Sequence, residues 1–511
     1  MAQRHSTPTC CLTLPLQLEK WQEDRLIKRF EIAGKIYNAL LNAELKKLHR
    51  LEQLPEYKEI QSQLKAYYQN NLPKTAAFKE LNNRRSKLLS EHGFSEYAFK
   101  GDIKKFYKHF SSNIGSSVAT HCIASQVWSA FEKRLFGGGK FVHFKKSGDI
   151  RSLKGFSSSR KSGGVEIMFR GDHIEWKGLL LRLKLDPDNQ YESEMLSRRI
   201  KYVRIIRKPG KAKWRWYAQL SVEGLPAIKR NDETGEPVHP IGRGAVGIDI
   251  GPQTIAYVSQ TEVALKELAD RVQNIEHEKR LIQRKLDRSR RATNPANYAD
   301  NGTIKRGVKL TRNKSKRYLK LQMELSFLQH KQAEIRKQQH INLANHLLSL
   351  GDCFYVEDMA WSSLARKAKE TAVSEKTGKY KRKKRFGKSI ANKAPASLIS
   401  ILDQKCTSLG LLGVIKVPTS VRASQYNHIT KSYEKKTLSQ RWNIMPDGRR
   451  IQRDIYSAFL LQHVTPQRDG FSDEALQQDY ENFVSLHDSV IQQLRLMPKT
   501  IASMGIRRTY S

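Results

Sequence analysis

The sequence predicts a multidomain α+β chain: a helical segment inserted into a small β-barrel, followed by a larger domain of strands and long helices. Three observations carry this expectation. The chain has 511 residues, more than one ordinary hydrophobic core organises, so two to four domains are expected. The hydrophobic period is 2 near residues 11–18, becomes 3.6 from Trp21, and returns to 2 between residues 165 and 222. Beyond residue 240, short apolar runs alternate with long helical patterns.

Taken in order, residues 11–18 alternate loosely and contain Pro15, as an edge strand does. Leu26, Phe30, Ala33, Tyr37 and Leu40 then recur at steps of three and four, the apolar face of a helix. Further helices are expected over residues 57–69, 76–89, 95–110 and 117–135, and Gly137-Gly138-Gly139 ends the last. After a Ser/Lys/Gly-rich loop at 155–164 come strand-like runs at 165–169, 173–176, 179–185, 202–206 and 213–222. Residues 226–240 read as a linker. Leu268, Val272, Ile275, Ile282 and Leu286, then Leu321, Leu325, Leu328 and Ile335, predict two antiparallel helices joined by a basic loop, a helical arm. Leu476, Tyr480, Phe483, Leu486 and Val490 form one stripe of a last amphipathic helix, whose expected role is core packing.

Lysine and arginine number 92 against 50 acids, a formal net charge of +42. That excess favours a polyanionic partner, nucleic acid first. No apolar stretch approaches bilayer length, so a membrane partner is not expected, and no signal peptide is seen. The five cysteines form no C-x-x-C pair, so neither a disulfide framework nor a zinc site is expected, and a reducing, cytoplasmic setting fits.

Chemistry concentrates in three acids. In residues 245–260, AVGIDIGPQTIAYVSQ, Asp249 stands between Ile248 and Ile250. On a strand the isoleucines point to one face and Asp249 to the other. A buried carboxylate costs free energy unless it is paired, hydrogen-bonded or bound to metal; a cap on the turn into Gly251-Pro252 is the plain alternative. Glu357 closes a second apolar run, Phe354-Tyr355-Val356-Glu357. Asp454 opens an apolar helix, where an acid also simply suits the N-terminus. Three acids at the edges of apolar elements, far apart in sequence, point to a cluster that would repel itself unless cations occupied it. Oxygen ligands of this kind suit Mg²⁺ or Mn²⁺.

In this order GIDIG, YVED and RDxxxA resemble the split RuvC-like nuclease of TnpB proteins and type V CRISPR effectors of the Cas-twelve type. Lys140–Lys146, with Phe144-Lys145, is similar to that family's G-x-P-x-F-K element, and residues 213–223 to its G-K-W-Y-x-x-L strand. The resemblance implies an RNase H-like (RuvC) α/β nuclease domain in which Asp249, Glu357 and Asp454 are catalytic and hold two Mg²⁺ (or Mn²⁺) ions. It implies a layout too: residues 1–20 as first strand of a wedge β-barrel, 21–136 as a helical recognition lobe, and 137–240 as wedge barrel and linker. Residues 241–511 are then the nuclease domain, with the helical arm at 263–347, a lid at 360–392, a target-nucleic-acid-binding insertion at 418–453 and C-terminal helices. Lys145, Lys146, Trp214 and Trp216 are candidate nucleic-acid contacts, although packing across strands is the commoner role of such tryptophans. Lys381, Arg382, Lys383, Lys384 and Arg385 are further candidates, in a basic run that also reads as a solvated loop or an import signal.

The chain departs from the family in three places. Val142 replaces a proline, the insertion at 418–453 keeps Ser424-Gln425 but has lost the four cysteines, and the third motif lacks its asparagine. That insertion is therefore expected to hold no zinc. The expected function is that of an RNA-guided DNA endonuclease: it binds a guide RNA, reads a short flanking motif on double-stranded DNA, forms an R-loop and cuts by metal-dependent hydrolysis. Two alternatives stand beside it: an RNA-guided DNA-binding protein that cuts weakly or not at all, as a repressor does, and a guide-independent RuvC-like recombinase or resolvase. A transposon-associated and a CRISPR-associated origin, both in a prokaryotic, nucleoid-associated setting, are equally compatible with the sequence, as are monomer and dimer.

Overall fold

The computed structural model describes residues 7–70, 72–73, 75–137, 139–156, 166–231, 233–367, 370–375, 378, 386–437, 439–498 and 500–506. The chain is a mixed α+β structure of two compact units, Met1–Ile228 and Lys229–Ser511.

The first unit is built on an antiparallel seven-stranded sheet. Its strand order is Ser152–Phe156, Ile200–Pro209, Trp214–Glu223, Thr9–Gln17, Leu179–Leu183, His173–Trp176, Ile167–Phe169. The two outer strands approach each other, and the Glu166 amide donates to the Phe156 carbonyl at 3.2 Å, so the sheet nearly closes into a barrel. Contrary to the edge position its proline predicts, Thr9–Gln17 is central. The physical reason is a change of partner. Residues 9–15 pair with Trp214–Glu223, and Leu16 and Gln17 pair with Leu179–Leu183. Pro15 sits at the switch, and its carbonyl still accepts from the Lys184 amide at 2.9 Å. Inserted between the first strand and the rest are helices. Lys20–Leu51 buries Leu26, Phe30, Ala33, Tyr37 and Leu40, the predicted face. The helices expected at 95–110 and 117–135 are both broken, the second by a π-helical turn at Ala119–Ala124. The strand Ser152–Phe156 and the helix Gln190–Ser197 lack a clear period and are visible only in the fold.

The second unit holds a five-stranded sheet in the order Val263–Glu267, Thr254–Val258, Ala245–Ile250, Cys353–Glu357, Val414–Val417. The first three strands run antiparallel to one another in turn; the last two run parallel to Ala245–Ile250. Val246, Ile248 and Ile250 pack on one face with Ala344, Leu347, Leu398 and Leu402. Gln273–Thr293 and Lys316–Leu350 form the antiparallel arm: Lys279 Nζ donates to Gln332 at 2.8 Å and Ser289 meets Ser315 at 3.1 Å. Leu268 and Val272 precede the arm's first helix rather than lying in it. Among the described residues no helix is long and apolar enough to cross a membrane.

The other sheet face is covered by Arg453–Gln462 and Asp473–Leu496, with Phe459 stacked on Phe483 at 4.1 Å. His428 is buried here, its Nδ1 2.7 Å from the Tyr456 hydroxyl. Burial lowers the pKa of His428 to about 4 and, in the arm's second helix, that of His340 to about 4. Both imidazoles are therefore neutral in the fold but charge at about 6.5 when unfolded. The stability they contribute is full above that value and is lost as pH falls towards 4, at most on the order of 3 kcal/mol each. Melting temperature measured against pH checks this. A steady fall between pH 6.5 and 4.5, blunted in His428→Asn, is expected; an unchanged melting point over that range contradicts it.

Candidate functional site

Two of the three candidate acids are set by adjacent parallel strands. The register places Val356 beside Ile248, so Glu357 and Asp249 follow at the C-terminal ends of neighbouring strands. Asp249 lies on the face opposite Ile248 and Ile250, as side-chain alternation requires. The third comes from the helix Arg453–Gln462, whose first turn carries Asp454 and whose N-cap, Gln452, accepts from the Ile455 amide at 2.8 Å. That helix lies directly on the strand at Gly247. A Cβ there would stand 2.0 Å from the Ala458 carbonyl oxygen and 2.4 Å from the Gln462 nitrogen. Only glycine permits this approach, and the approach brings Asp454 within electrostatic range of Asp249.

Electrostatics registers the convergence. The Asp249 carboxyl is pushed well above the ordinary range, first by burial, then by the charges of Asp454 and Glu357. The Arg453 charge and the Ser457 hydroxyl oppose the shift. Glu357 is also raised, by burial. Asp454 is held by arginines: Arg453 Nη2 at 3.2 Å and Arg441 Nη1 at 3.7 Å. Asp447, the other acid near this helix, is engaged by Arg449 at 3.4 Å.

Three carboxylates that repel one another are the donor chemistry of a hard divalent cation. Among the described residues no group of three or more His, Cys, Asp or Glu side chains is arranged to hold a metal ion. Arg453 and Arg441 supply the positive charge at Asp454.

Lys145, Lys146, Trp214 and Trp216 fall in the first unit. Lys145 places its ammonium 5.4 Å above the Tyr37 ring, and its main chain is bracketed by Asn38, which accepts from its amide and donates to its carbonyl at 2.8 Å each. It lines a cavity of about 470 Å³ together with Lys133, Lys154 and Arg204, with no carboxylate in the lining. Lys146 is exposed beyond it. Trp214 is half-buried, flanked by the guanidiniums of Arg207 at 4.7 Å and Arg151 at 5.9 Å. Trp216 is a correction. It is 5% exposed and packs edge-on against Phe30 at 5.1 Å, so it serves the core and offers no face to a base. Lys381, Arg382, Lys383, Lys384 and Arg385 lie outside the described residues.

Sequence reasoning missed Gly247, Arg453, Ser457 and Arg441 as parts of this centre. The first three stand inside the motifs quoted for the acids. Arg441 carries no sequence signal, because only the fold sets it against Asp454.

No family model matches the chain, and no curated protein matches it. Among solved structures it is similar to a protein of a Cas12f1–sgRNA–target DNA complex, with TM-score 0.40 and 11% identity over 90% of this chain and 99% of that one. It is similar also to a CRISPR-Cas12f ternary complex, with TM-score 0.25 and 13% identity over 88% of this chain and 82% of that one.

Proposed function

We propose that this chain is an RNA-guided DNA endonuclease whose cutting centre is formed by Asp249, Glu357 and Asp454. The observation that carries the reading is their convergence: three acids from Ala245–Ile250, Cys353–Glu357 and Arg453–Gln462 that load negative charge onto Asp249. In this reading the three would hold two Mg²⁺ or Mn²⁺ ions, whose charge would serve to activate a water and to stabilise the leaving oxygen. No zinc is expected in residues 418–453. Such a centre has no means of choosing a sequence, so choice falls to a guide RNA paired with one DNA strand beside a short flanking motif. The +42 excess and the carboxylate-free basic cavity at Lys145 support a nucleic-acid partner.

The test is direct. RNA extracted from the purified protein is sequenced, and a matched duplex is incubated with the complex, Mg²⁺ and, in parallel, chelator. One enriched RNA species and metal-dependent cutting at the matched site are expected. A random RNA mixture refutes the guide, and metal-independent cutting refutes the centre. One observation favours a second reading, guided binding without cutting: Asp454 already has two arginine partners and the acids are not drawn into a ligand set. Tight guided binding with an uncut duplex would establish it.

A further inference from the structure

The cavity of about 470 Å³ in the first unit concentrates four cations, Lys133, Lys145, Lys154 and Arg204, and no carboxylate lines it. Lys133 comes from the helix Ser125–Leu135, Lys154 from the strand Ser152–Phe156 and Arg204 from the strand Ile200–Pro209. Among the described residues none of the four is paired with an acid. Three of them meet neutral groups instead. The Lys145 ammonium lies over the Tyr37 ring and that of Lys154 over the Tyr202 ring at 5.2 Å, while Arg204 Nη1 donates to Gln219 Oε1 at 3.4 Å. Register sharpens the crowding. Lys154 and Arg204 stand directly opposite each other in the antiparallel pair. Like charges so placed destabilise a sheet, and nothing in the lining offsets the repulsion. Folding alone gains nothing from this pair; an anion in the cavity would relieve it.

We infer that this cavity binds a compact polyphosphate group, either a free anion of the pyrophosphate type or the phosphorylated 5′ end of an RNA. Charge density decides between this and an ordinary stretch of nucleic-acid backbone. One strand presents one charge per roughly 3.4 Å of axis, so a space of this size takes in about two and leaves the other cations unmatched. A terminal phosphate carries roughly −1.5 to −2 at neutral pH, and each phosphate joined to it adds more, so a di- or triphosphate approaches the four. The rings decide against a base. Of the lining residues only Tyr37 and His121 carry rings. Tyr37 is buried beneath Lys145, and His121 lies edge-on to Phe156 at 4.7 Å. Both rings are engaged, so stacking, the usual hold on a base in a single strand, is not provided.

The free anion as ligand stands on the cavity alone; the RNA end rests also on the function proposed above. Either way the group recognised is a phosphate terminus and not a diester, and the cavity is indifferent to sequence because it touches no base.

The experiment titrates the full chain, freed of RNA by nuclease, with inorganic pyrophosphate in a calorimeter. Binding at one site is expected, weakened at least tenfold in Lys154→Gln/Arg204→Gln and recovered in Lys154→Arg/Arg204→Lys, which keeps both charges. Lys58→Ala/Lys65→Ala removes as much charge from the exposed face of the helix Pro55–Gln69 and leaves binding unchanged. The glutamine variant relieves a repulsion, so without anion it melts no lower than the parent, which also shows that it folds. Two short RNAs of one sequence, one with a 5′-triphosphate and one with a 5′-hydroxyl, then compete with pyrophosphate. Displacement by the triphosphate alone makes the RNA end the ligand, and displacement by neither makes it the free anion; both keep the inference. Absence of pyrophosphate binding, equal binding by the glutamine variant, a melting point below the parent's, or equal displacement by the two RNAs overturns it. No reading involves cutting, so a chain that never cleaves DNA leaves the result intact.

Discussion

Asp249→Asn is expected to abolish the proposed DNA cutting and at the same time to raise the melting temperature of the protein held in chelator. The two effects have one cause. In the fold Asp249 is pressed by burial and by the charges of Asp454 and Glu357, so its ionised form is disfavoured. A group whose carboxyl pKa is raised by folding costs stability at every pH above its unfolded value, about 3.9, because the charge must be kept where it is least welcome. Asparagine keeps the shape and removes the charge. Each kcal/mol recovered corresponds to roughly 2 °C in a domain of this size. Under the proposed function cutting would be lost with the shared acid of the centre, and a loss of at least about 10³-fold is expected for a unit whose members act together. RNA binding should be unchanged, since one carboxylate barely alters a surface of net charge +42. Guided cleavage and a melting scan of the same preparation check both halves. A variant that cuts normally refutes the catalytic assignment, and one that melts lower refutes the electrostatic account.

Gly247→Ala is expected to destabilise the second unit more than any other single methyl addition along the central strand. The new methyl would meet main-chain atoms of the helix Arg453–Gln462 at 2.0 and 2.4 Å. Main-chain atoms inside a hydrogen-bonded helix cannot step aside singly, so the whole helix must lift from the sheet. A cost above about 3 kcal/mol follows, at the upper end of overpacking. The helix carries Asp454, so lifting it also disperses the acids. Gly470 is the control, because a Cβ there meets nothing within 4 Å, and its alanine variant should stay within about 0.5 kcal/mol of the parent. Urea unfolding monitored by circular dichroism separates the two. An unchanged midpoint for Gly247→Ala would show that the contact between helix and strand relaxes at no cost.

Much of this molecule can be read along the chain, and the reason is periodicity. The face Leu26, Phe30, Ala33, Tyr37 and Leu40 is buried as spaced, and the arm residues Ile275, Ile282, Leu321 and Leu328 form their own small core. Both depend on local geometry, a helix turning 3.6 residues at a time, which one segment fixes by itself. The division of Ile248 and Ile250 from Asp249 is legible for the same reason, with a period of 2. Pro15 misled because the rule that confines proline to an edge assumes a strand with one partner on each side throughout its length, and this strand changes partner at Pro15. Trp216 was ambiguous because an aromatic in a strand has two faces open to it, and only the helix Lys20–Leu51, arriving with Phe30, decides which is buried.

The sequence by itself determined the type of element that bears each of the three candidate acids, because that property is local. Tertiary structure alone decided what surrounds them. Ser457 and Arg453 act on Asp249 only because Gly247 lets a helix rest on a strand more than two hundred residues earlier in the chain. Arg441 reaches Asp454 only because the turn at Gly505 packs against its stem. Charge acts through distance in space, and no local pattern in the chain records that distance.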